Sequence, residues 1–291
     1  MSKLNAQLSK CIMAYRQGLN QPVPMMDEAE NVSLKKLTEA TISNSVSSED
    51  QKVYNTIMHL VNLAGNLQAQ NLLHACKDIL YKARKELKRK AVCRMLRLLC
   101  CASIFQAQAE LYFQLQQYRR TEKNILKALY VTQVLEQDYS MAFLHVLRLQ
   151  QVLLYIRVNR SMGEAIPAIK LCEEAISYLA GYCGSLQISQ GWAQSLVQLI
   201  PDSTRQALIA QFASEAGTVL VQQPEEQSAA IFSSFHVWKY FNDQDYLKEL
   251  YDWGELKSAY LMKDYSTFLT LCANFLKCGR KETLLWDTTV V

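Results

Sequence analysis

Glycine and proline are scarce in this chain. Nine glycines and five prolines make 14 of 291 residues, well under half of the roughly 12 % that ordinary usage supplies. Sandwiches and barrels turn tightly and often, and their turns need these residues, so the shortage argues against an all-β architecture. Also missing are a CxxC pair and any Cys/His cluster with zinc spacing. The odd total of nine cysteines and their place in apolar runs such as Leu98–Ala102 predict reduced, buried thiols in a cytoplasmic or nuclear protein. No charged segment followed by an apolar core opens the chain. Its most apolar stretches, 91–105 and 141–158, carry Arg94, Arg97, Arg148 and Arg157, which argues against a membrane span.

What is present reads as helix. Hydrophobic residues are 50 % and charged residues 20 % of the chain, enough to build a large core. Residues 4–18 predict a short amphipathic helix, and 20–48, with Pro22, Pro24 and a Ser/Asn-rich tract, predict a linker. Ser48 with Gln51 fits a capping box, starting a helix that Gly65-Asn66 is expected to end. Further helices are expected from about 69 to 88, 91 to 115, 202 to 220 and 225 to 240.

Residues 105–128 resemble a tetratricopeptide (TPR) repeat. Phe105, Ala109, Tyr112, Leu115, Tyr118, Ile125 and Ala128 fall near that motif's large, small and aromatic positions. Thr121 and Gln133 depart from it, where the family prefers Ala and Pro. Weaker copies cover about 142–178 and 250–278. The resemblance implies an all-α, TPR-like α-α superhelix of antiparallel hairpins that acts as a protein–protein scaffold. The expected organisation is an N-terminal helix and linker (1–48), TPR-like repeats (49–180) and C-terminal helical repeats ending in a TPR-like hairpin (181–291).

Charge is concentrated in one place. Residues 77–97 hold nine cations against two acids, a local +7; by difference from the overall +4, the rest of the chain is −3. Lys82, Arg84, Lys85, Lys88, Arg89, Lys90 and Arg94 are the candidate partner-binding residues, facing an acidic protein, nucleic acid or an anionic surface. The alternative is a solvated helix face. Lys85–Lys90 also has the composition of a nuclear localisation signal.

A second candidate is the acidic-aromatic stretch from Phe232 to Trp253, in which Phe235, Trp238, Tyr246 and Trp253 are either interface anchors or inter-helix packing. The terminal Thr289-Val-Val291 resembles a PDZ ligand. His59, His74, His145 and His236 are scattered, and no nucleophile elbow, phosphate loop or metalloprotease motif occurs. No catalytic residue, metal or cofactor is expected. The function expected is a non-enzymatic scaffold or adaptor subunit of a multiprotein complex, with nucleic-acid or anionic-surface binding through 77–97 as the alternative.

Overall fold

The computed structural model describes residues 37–277, apart from Glu39, 44–45, Pro224, Ser234 and 242–247. The 4–18 helix, most of the 20–48 linker, Tyr246 and the C-terminal Thr-Val-Val lie outside the described residues. Every element is helical, and no strand occurs among the described residues. The protein is all-α. None of the described helices is long and apolar enough to cross a membrane.

The helices are α1 (Ser48–Ala69), α2 (Leu73–Arg89), α3 (Arg94–Gln114), α4 (Tyr118–Asp138), α5 (His145–Ser161), α6 (Ala165–Leu179), α7 (Gln194–Val197), α8 (Asp202–Val221), α9 (Glu225–Phe232), α10 (Lys248–Leu261) and α11 (Tyr265–Lys277). Short 3-10 turns, Ala142–Leu144 and Val237–Phe241, precede α5 and α10. Contacts divide the chain into two compact units. One runs through the described residues to Met162 and takes back Gly184–Ile200; the other holds Gly163–Cys183 and the described residues from Pro201 onward.

In the first unit α1 to α5 each pack on the next in sequence, and α1 also packs on α3. Short connections force consecutive helices to run antiparallel. Small residues sit where helices approach: Ala64, Cys76 and Ala107 pack with Leu80 and Leu111, while Ala83 and Cys100 pack with Ile57, Leu60, Leu87 and Ile104. Thr121, fully buried where the TPR pattern prefers Ala, satisfies its hydroxyl by donating to the Gln117 carbonyl at 3.2 Å.

The scarcity of glycine is met in an unexpected way. Helix ends need a left-handed residue to close the last turn, and here Asn71, Gln116 and Lys263 supply it at φ 59°, 56° and 62°. Each is followed by a backbone N–H that reaches back five residues: Leu72 to Leu67, Gln117 to Tyr112 and Asp264 to Ala259. Asn71 is why α1 ends there. Gly65 sits inside the helix, and the expected stop at Gly65-Asn66 does not occur. The N-cap of α1 is Ser47, one residue before the expected Ser48, because it is the Ser47 hydroxyl that accepts from the Asp50 N–H at 3.2 Å.

In the second unit α8 packs on α6, and α10 packs on α11 and on the 3-10 turn before it. The helix expected over 225–240 stops at Phe232. The chain then turns, with the Phe235 N–H bonded to the Phe232 carbonyl at 2.9 Å, and Phe235 and Trp238 are buried. A Cβ on Gly254 would lie 2.3 Å from the Trp238 ring; only glycine lets the indole rest on the α10 backbone.

Candidate functional site

Helix α2 places the cations. Leu73, Cys76, Leu80, Ala83 and Leu87 recur at helical spacing and face the core, with Cys76, Leu80, Ala83 and Leu87 buried. The charges between them are forced outward. Lys82, Arg84, Lys85, Lys88, Arg89, Lys90 and Arg94 are all exposed. Arg89 meets Glu86 at 3.6 Å and Arg94 meets Asp138 at 4.0 Å, exposed pairs of small energy. Lys82, Arg84, Lys85, Lys88 and Lys90 have no ion-pair partner among the described residues.

Three of these seven share a groove. Arg84, Lys85 and Lys88, joined by Lys77 and Tyr81, line a groove of about 440 Å³ whose opposite wall is Gln108, Leu111 and Tyr112 of α3. Lys82, Arg89, Lys90 and Arg94 are not part of its lining.

Charge spacing in the sequence did not single out the α3 wall, nor the second set of cations beside it. On α4, the Arg120 guanidinium lies 5.7 Å from the Tyr112 ring centre, and the Lys127 ammonium lies 5.4 Å from that of Phe105. Burial, then the charges of Lys123 and Arg84, hold the Lys127 ammonium below the ordinary lysine range. Arg84 on α2 is the smallest of these contributions. An excess of like charge on one face favours an incoming anion.

The aromatic stretch has a different fate. Phe235, Trp238 and Trp253 are buried, Trp253 completely. Trp238 stacks with Phe232 at 6.0 Å between ring centres, and Phe235 meets Trp253 edge-on at 6.4 Å. They fill the interior of the second unit, and inter-helix packing accounts for their clustering.

One buried polar cluster had no signal in the sequence beyond a single arginine in an apolar run. Arg148 on α5 is fully buried. Its Nη1 donates to Glu136 Oε2 on α4 at 2.5 Å and to the Gly191 carbonyl at 3.1 Å, and its Nη2 donates to the Gln190 carbonyl at 3.0 Å. His145 Nδ1 lies 3.4 Å from the other carboxylate oxygen of Glu136. The Arg148 bonds hold segment 189–192 against α4 and α5. His59, His74 and His236 are exposed and apart, and no group of three or more His, Cys, Asp or Glu could hold a metal among the described residues.

The chain matches no known protein family, no curated protein and no solved structure.

Proposed function

We propose that the chain is a non-enzymatic protein–protein interaction subunit, a scaffold or adaptor of degenerate TPR-like hairpins, that engages an acidic surface of its partner through the basic face of α2. The observation that carries this reading is the set of exposed, unneutralised cations on α2, continued by Arg120 and Lys127 across α3. Stacked hairpins offer a broad rigid face, and one-signed charge on it speeds and selects encounters with a partner of opposite sign.

Nucleic acid is the other polyanion such a face could meet. Single strands bind by stacking bases on open aromatic faces. Here Phe105 and Tyr112 carry cations against their rings, leaving Tyr81 as the one open aromatic of the groove lining, which favours protein.

The test is affinity capture of the tagged chain from its native cells, with nuclease treatment and mass spectrometry. A stoichiometric protein partner that survives nuclease and is lost on Lys88→Glu, Arg89→Glu and Lys90→Glu is the expected result. Recovery of nucleic acid, with protein lost after nuclease, would reverse the choice.

A further inference from the structure

The α2–α3 groove is more sharply defined than a charged face requires. Four cations, Lys77, Arg84, Lys85 and Lys88, line one space of about 440 Å³, within the about 300–1,000 Å³ of small-ligand sites. None of the four has an acidic partner among the described residues. The opposite wall supplies uncharged hydrogen-bonding groups, the Gln108 amide and the Tyr112 hydroxyl. The Gln108 side chain makes no hydrogen bond to the described residues, and its amide is not among the buried unpartnered polar atoms, so it stays open to the groove.

We propose that this groove binds a compact, multiply phosphorylated ligand, held by Lys77, Arg84, Lys85 and Lys88 and oriented by Gln108 and Tyr112. The inference rests on the reading of this face as an anion-recognising surface and names what occupies its centre.

Charge density favours phosphate over carboxylate here. An extended acidic peptide presents one carboxylate about every 7 Å on a given side. Lys77 to Lys88 spans about 16 Å of helix, so such a peptide would leave cations unmatched. A phosphorylated ring brings several groups of up to two charges each into a space of this size. The arginine fork matches phosphate oxygens in pairs, and the lysines act as point charges on the rest. Tyr81, 67 % exposed, lines the same groove.

The experiment is titration calorimetry of the full chain with inositol hexakisphosphate, with inorganic phosphate, a short Glu/Leu peptide and an oligothymidylate as comparisons. The expected result is one inositol hexakisphosphate per chain, bound far more tightly than the other three. The paired variants decide whether the groove is responsible. Lys85→Gln with Lys88→Gln, which line it, should weaken binding about tenfold or more. Lys82→Gln with Lys90→Gln removes the same charge outside the lining and should change it little. All four side chains are exposed, so neither pair should disturb folding.

Equal weakening by both pairs, or no saturable binding, overturns the proposal, as does tighter binding of the peptide or the oligonucleotide. Vesicles carrying phosphatidylinositol bisphosphate separate the sources: binding to them alone, with the same dependence on Lys85 and Lys88, assigns the phosphorylated ring to a lipid headgroup. Capture of a protein partner in the absence of ligand binding overturns the groove ligand and leaves the scaffold reading standing. Ligand binding without any captured partner does the reverse.

Discussion

The guanidinium of Arg148 lies over the indole of Trp192, its central carbon 3.9 Å from the ring centre, while its Nη1 meets the Glu136 carboxylate. Both charged side chains are excluded from water. Removing one partner of such a pair leaves a buried charge uncompensated, at a cost of about 3–5 kcal/mol. Arg148→Met should lower stability by about that amount and speed amide deuterium exchange at Gln190–Trp192. Glu136→Leu added to it should recover part of the loss, since no orphaned carboxylate then remains. Urea unfolding of the parent and the two variants measures both effects. Equal loss in the single and double variants would show that the carbonyl bonds of Arg148, and not the ion pair, hold the segment.

The helix ends make a paired prediction about glycine. Gln116 occupies a left-handed position at φ 56°, a conformation costing a side-chain-bearing residue about 1–2 kcal/mol. Gln116→Gly should therefore stabilise the first unit by roughly 1 kcal/mol. Gly191→Ala should destabilise it by more, because the residue sits at φ 74° and a Cβ there would lie 2.5 Å from the Gln133 amide nitrogen. Thermal midpoints moving in opposite directions are the expected outcome.

Lys257 on α10 gives a pH-dependent contribution. Burial pushes its ammonium down to about 8 from an ordinary 10.5, against an opposing effect of Cys272. Below about pH 8 the side chain is protonated in both folded and unfolded chains, and the fold bears the full cost of the charge. Between about 8 and 10.5 the unfolded chain holds more protons, so stability from this group rises with pH. Lys257→Met should be more stable than the parent at neutral pH, with the gain shrinking to nothing as pH approaches 10.5. Denaturant midpoints of the two chains across this range give the difference directly.

The cysteines report burial chemically. Cys76, Cys100, Cys172 and Cys272 are buried, whereas Cys93 is exposed at the start of α3. Burial pushes the Cys100 thiol up to about 12, and only the thiolate reacts. Brief alkylation of the native chain followed by peptide mapping should label Cys93 and spare those four, and denaturation should expose them. Native labelling at Cys100 would contradict the packing of α3 against α1 and α2.

The amino-acid pattern by itself determined the helical class. Few glycines and prolines, good helix formers and apolar residues at helical spacing leave the backbone no other way to satisfy its hydrogen bonds over such lengths. It also determined that the α2 cations face water, because Cys76, Leu80, Ala83 and Leu87 take the inward positions of the same helix. Helix ends were less legible, since Gln116 and Lys263 carry no mark of a left-handed turn and Gly65 carries a misleading one. Tertiary structure alone decided which cations share a groove: that depends on where α3 sets Gln108 and Tyr112 beside α2. It alone decided that Phe235, Trp238 and Trp253 bury one another, and that Arg148 finds Glu136 and residues 190–192. Spacing along a helix reports only the direction a side chain leaves it. What meets the side chain there comes from segments distant in sequence, whose approach is set by packing.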